Sequence, residues 1–222
     1  LEVTKSRDVN IAYKLNQRKI EEITEIIKDV SDEIEYNATC IEGTSIKFAS
    51  LDEFIKYPNR REKQYNTIEI VNSYRSLVRI SIIFSNREFC PITYRITGDE
   101  SKVDTYAGQI EGFTRSLRQW YSFIGVMNKY RFIITVAVIS FTLLIISNLY
   151  NKDLPFWAWF PIGFLIVVSF DKVKSLLFPV ATFELGDGIE RAKTHDNIRN
   201  LVLSGVFLAA IVGYIVNQIP GI

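Results

Sequence analysis

A chain of 222 residues with one histidine, His195, and one methionine has little of what most catalytic sites are made from. No Ser-His-Asp set, phosphate-binding glycine loop or dinucleotide glycine fingerprint occurs. General-base chemistry therefore has few candidates, and the sequence points to a non-enzymatic protein that needs no cofactor. Cysteine is equally scarce. Cys40 and Cys90 stand 50 positions apart without the paired spacing of a zinc site, and read as small buried hydrophobes. A basic excess is missing too. Residues 1–125 carry 18 Lys/Arg against 19 Asp/Glu, so nucleic acid is not an expected partner. The opening LEVTKSRDVNIAYKLNQRK is polar and charged, unlike a secretory leader.

Long hydrophobic runs, by contrast, are plentiful in residues 129–222. Residues 132–150 and 201–219 each hold 19 positions without charge, about 28 Å as helix and close to a bilayer's hydrocarbon thickness. Residues 154–170 form a third, shorter run with Trp157 and Trp159 near its start and Pro161 and Gly163 inside. The expectation is an α-helical transmembrane module of three spans in a bacterial inner membrane. Lys129 and Arg131 before the first run, and Lys172, Lys174, Arg191, Lys193 and Arg199 before the third, place residues 1–128 and the strap 171–199 in the cytoplasm. Gly205, Ala209 and Gly213, at i, i+4 and i+8, mark a helix-packing face suited to a homo-oligomer.

Between those runs lies FELGDGIERAKTHDN, residues 183–197. Glu184, Asp187, His195 and Asp196 could gather a metal, and Gly186-Asp187-Gly188 could form an anion nest, but neither has a recognisable ligand spacing. An interfacial strap whose cations meet lipid headgroups is the reading the sequence favours. The stretch LFPVATFELGDGIERAKTHDNIRNLVLSGVFLAAIVG resembles a C-terminal segment of uncharacterised bacterial membrane proteins. That resemblance covers about 40 residues and implies a bacterial source without implying an activity.

Residues 1–128 predict an α+β domain. Val9, Tyr13, Asn16, Ile20, Ile23, Ile27, Val30 and Ile34 follow a heptad seam, as do Val103, Tyr106, Ile110, Phe113, Leu117, Trp120, Ile124 and Met127. The second helix is expected to run into the first span. Between them ATCIE, SIKFAS, TIEIVNSY, SLVRISIIFS and CPITYRIT read as strands, and Ser50 with Glu53 as a capping box. The order α-β-β-α-β-β-β-α implies an antiparallel sheet with helices on one face. In YPNRREKQYN, residues 57–66, Arg60, Arg61 and Lys63 could hold an anionic ligand or a headgroup, or simply form a solvated loop.

The sum is a sensing or effector protein that binds a small anionic ligand or protein partner and assembles in the lipid bilayer. Its layout is similar to that of membrane effectors of bacterial defence systems. The alternative is a structural membrane subunit that tethers a cytosolic complex.

Overall fold

The computed structural model describes residues 2–73, 76–127, 130, 134 and 172–218. Its centre is a six-stranded antiparallel sheet built from β1 (Glu2–Val9), β3 (Ile34–Cys40), β4 (Ser45–Phe48), β5 (Tyr65–Asn72), β6 (Arg79–Ser85) and β7 (Ile92–Asp99). Their spatial order is β1-β7-β6-β5-β3-β4. Alternation decides which side is buried. Ile68, Ile70, Ile80, Ile82, Phe84, Ile92, Tyr94 and Ile96 are all fully buried on one face. The register pairs Thr97 with both Thr4 and Arg79, and Arg95 with both Ser6 and Ser81, so the other face is polar.

Helices α1 (Gln17–Lys28) and α3 (Glu100–Ser116) cover the buried face with Ile20, Ile23 and Ile27 from one and Val103, Ile110 and Phe113 from the other. A third, α2 (Leu51–Lys56), closes the β4 end. Ser50 Oγ accepts from Glu53 N as the expected capping box requires, while Glu53 Oε2 accepts from Ala49 N, one residue before the cap. Its Phe54 ring lies between Tyr36 and Tyr65, at 5.7 and 5.8 Å, in an aromatic stack that seals this end of the core.

Both heptad seams are shorter than the pattern implies. Val9 belongs to β1, and Tyr13 to a short strand β2 (Tyr13–Asn16). Helix α1 starts only where Asn16 Oδ1 accepts from Lys19 N and caps it. At the other end α3 stops at Ser116. Gln119 N then donates to Ala12 O, and the chain turns through α4 (Ser122–Gly125) instead of continuing as one helix. The α3 seam faces the sheet and α1, so sheet packing accounts for it.

The three-span module is not supported. Among the described residues no helix is long and apolar enough to cross a membrane. Residues 132–150 and 154–170 lie outside the described residues, apart from Ile134. The expected third span falls on α5 (Gly188–Gln218), which starts inside the folded domain with a charged, packed segment, residues 188–199. The inner-membrane location, the multi-pass topology and the cytoplasmic assignment of the N-terminal domain fall with it. A charge-free run states that its side chains prefer an apolar environment, not which environment they find.

The described part of the expected strap, residues 172–199, packs on the sheet domain. A strand β8 (Ala181–Glu184) pairs in parallel with β2, matching Tyr13 to Ala181 and Leu15 to Phe183. Tyr13, Leu15 and Phe183 enter the same core as the large sheet. Three of the strap's cations are instead used by the protein, since Lys174 and Arg199 are buried and Arg191 donates to Asn59 O at 2.8 Å, while Lys172 and Lys193 are exposed.

Candidate functional site

Two stretches that stand out in the sequence, residues 57–66 and 183–197, meet in space. The contact is organised by Asn59, which is fully buried and holds a left-handed φ of 44°. Its Nδ2 donates to Leu185 O at 3.1 Å, and its Oδ1 accepts from Tyr65 N at 2.9 Å. Beside it, Asp187 N donates to Pro58 O at 2.8 Å. Backbone approaches backbone here, and glycine permits it: a Cβ on Gly188 would sit 2.2 Å from Phe183 O, and Gly186 has φ of 51° under Pro58. The Gly-Asp-Gly turn is therefore a docking device. Its amides are occupied by protein carbonyls (Gly188 N by Leu185 O, Ile189 N by Gly186 O), which leaves no anion nest.

Next to this joint lies a cleft of about 290 Å³, bounded by Gln64, Asn86 and Glu88 on the sheet side and by Lys174, Arg191 and His195 on the helical side. Lys174 Nζ lies 2.8 Å from Glu88 Oε1 and donates to Met127 O at 2.7 Å, so the one carboxylate in the wall faces a buried ammonium. His195 Nδ1 donates to Leu176 O at 2.8 Å, since a carbonyl can only accept. That bond fixes the ring and leaves Nε2 for another partner. Arg191 and His195, four residues apart on α5, share a helix face. The Arg191 guanidinium is depressed below its ordinary pKa, first by burial and also by the like charge of Arg61, with Asp187 opposing.

The structure puts Arg60, Arg61 and Lys63 on an exposed 3-10 turn, of which only Arg61 is felt electrostatically by Arg191. Gly205 and Ala209 are exposed on α5, and a Cβ on Gly205 would meet nothing within 4 Å. Gly213 lies further along the same helix. The proposed metal ligands do not converge. Glu184 and Asp196 both bind the Lys14 ammonium, each at 2.9 Å, and among the described residues no three His, Cys, Asp or Glu side chains gather as a metal set.

Lys14, Glu184, Asp196 and Arg199 instead form a latch between β2, β8 and α5. Arg199 reaches Asp196 at 2.6 Å and lies over the Tyr121 ring at 4.6 Å. Burial alone would raise the Asp196 pKa, but hydrogen bonds and charge from Lys14 and Arg199 outweigh it and hold the carboxyl low. A carboxyl lowered by folding stabilises the native state above its unfolded pKa of about 3.9, and that contribution is lost as pH falls through the lower native value. Asp196→Asn is therefore expected to cost about 1–2 kcal/mol at neutral pH. The gap between wild type and variant should close as urea unfolding is repeated below about pH 4. A gap that stays constant down to pH 2.5, well below that ordinary carboxylate range, would remove the latch.

The sequence did not reveal the cleft, because its walls come from three distant segments. Only the i, i+4 pairing of Arg191 and His195 is local enough to be visible. The chain matches no protein-family model, no curated protein and no solved structure.

Proposed function

We propose a non-enzymatic sensing protein in which a ligand held between the sheet domain and the base of α5 sets how that helix sits on the domain. The observation that carries this reading is the double origin of the cleft wall. Gln64 and Asn86 belong to the β5 and β6 region, whereas Arg191 and His195 belong to α5. A ligand touching both sides acts on their relative position through its differential affinity for the arrangements they can take. The Asn59 joint and the Lys14–Asp196 latch are the contacts such a change must break or strengthen.

A second reading, a structural subunit that holds a partner, draws on α5 beyond Arg199. Leu201 and Phe207 are 75% and 70% exposed, and Gly205 and Ala209 lie beside them. Spin labels at Gln109→Cys and Gly205→Cys in a Cys90→Ser background separate the two readings. The sensing reading expects the interlabel distance in the full chain to change with the small-molecule fraction of a cell extract. An unchanged distance, together with stoichiometric capture of a protein from the macromolecular fraction, favours the structural subunit.

A further inference from the structure

We propose that the cleft between Gln64, Lys174, Arg191 and His195 binds the phosphate group of a small phosphomonoester. This rests on the reading of the cleft as a ligand site and names the class of ligand. Size is the first argument. A volume of about 290 Å³ is at the low end for small-molecule pockets, enough for an oxyanion and a short organic body. It excludes an extended chain.

Charge is the second argument. Arg191 stands within electrostatic reach of Arg61. Among the described residues neither guanidinium has a carboxylate in ion-pair contact. Arg191 is half-buried in the cleft wall and Arg61 is exposed outside it, so an anion in the cleft meets one guanidinium directly and is attracted by the other at longer range. Glu88 is the opposing charge in the wall, and the Lys174 ammonium at 2.8 Å matches it. Within the wall Lys174 and Arg191 stand against Glu88, so a cationic surplus remains there, which Asp187 outside the wall offsets in part.

The donor set selects the kind of anion. One Arg191 nitrogen is anchored on Asn59 O, which orients the planar fork and leaves its other N–H groups to the cleft. Gln64 contributes an amide and Thr182 a hydroxyl, whereas the Ser175 hydroxyl already donates to Lys172 O. The His195 ring, fixed through Nδ1–H on Leu176 O, offers Nε2 as acceptor for a P–OH. These donors come from three separate chain segments; a carboxylate presents its acceptor sites in one plane, whereas a tetrahedral phosphate also presents oxygens out of that plane. Phe178, Pro179 and Val180 line the remaining wall and give the ester's carbon group an apolar side.

Isothermal titration of the full chain at constant ionic strength tests this with inorganic phosphate, phenyl phosphate and benzoate. Saturable binding of both phosphates is expected, tighter for phenyl phosphate, with none for benzoate. His195→Gln should weaken phenyl phosphate about tenfold, the size of one lost charge-assisted contact, and Arg61→Gln, which removes a nearby charge but no contact, should weaken it less. Arg18→Gln, exposed on α1, should leave it unchanged. Both test variants lie outside the Asn59 hydrogen bonds, so the fold should persist, and circular dichroism checks that it does. The proposal is overturned by absent binding of both phosphates, by benzoate binding as well as phenyl phosphate, or by affinity indifferent to both substitutions. The outcomes also separate this claim from the sensing reading. Phosphate binding with an unchanged interlabel distance keeps the site and removes the sensing. A distance change with the small-molecule fraction but no phosphate binding does the reverse.

Discussion

Gly188→Ala is expected to destabilise the protein by about 3 kcal/mol or more on the scale of strained, overpacked sites, or to prevent residues 185–199 from docking at all. The added Cβ would lie 2.2 Å from Phe183 O and 2.6 Å from Asn59 Nδ2. The first is backbone, held by the β2–β8 pairing, and the second is an amide fixed by its own hydrogen bonds. Neither is the free end of a flexible chain, so the clash cannot relax cheaply. Gly186→Ala should behave in the same way, with Pro58 O at 2.4 Å and a left-handed φ of 51° that a side chain resists. Gly108 and Gly112 provide the control. Both lie in α3 with nothing within 4 Å of an added Cβ, and replacing either by alanine should stabilise by about 0.5–1 kcal/mol. Denaturant midpoints of the four variants make the comparison. Equal, small effects at all four positions would show that the turn is not closely packed.

Asn59→Ala is the second large effect, expected at about 3–4 kcal/mol. The amide satisfies Tyr65 N and Leu185 O, both interior backbone groups, and leaving such a group unpaired costs about 1–3 kcal/mol. The left-handed φ of 44° adds about 1 kcal/mol for alanine, because asparagine tolerates that region better. Asn59→Gly removes the same hydrogen bonds without the backbone penalty and should be milder by that amount. Hydrogen exchange locates the damage: protection should fall first at Tyr65 and at the amides of residues 187–192, before the central strands. A loss below 1 kcal/mol for Asn59→Ala, small against those unpaired-group costs, would mean that water or a shifted backbone replaces the side chain.

These positions also show how far the sequence could be read. Strands β3 to β7 were legible because Ile68, Ile70, Ile80, Ile82 and Ile96 repeat at the two-residue period of a half-buried strand. The α1 and α3 faces were legible for the equivalent reason at helical spacing. Strand β1 was not. It lies at the sheet edge, Lys5 and Arg7 pair with Asp104 and Glu111 of α3, and its exposed residues leave no hydrophobic alternation. Such charges also protect an edge from pairing with another chain.

Strands β2 and β8 escaped for a different reason. They come from opposite ends of the described chain and pair in parallel, so no hairpin turn joins them in the sequence. Once β8 is missed, the glycines at 186 and 188 look like a loop, and Lys174, Arg191 and Arg199 look like solvated charges near apolar runs. Residue order by itself determined the antiparallel α+β core, because burial periodicity is a property of neighbours along the chain. Tertiary structure alone decided that residues 57–66 and 183–197 form one joint with a cationic cleft beside it. A buried polar group is defined by the partner that satisfies it, and for Asn59, Lys14 and Arg191 that partner lies more than a hundred residues away.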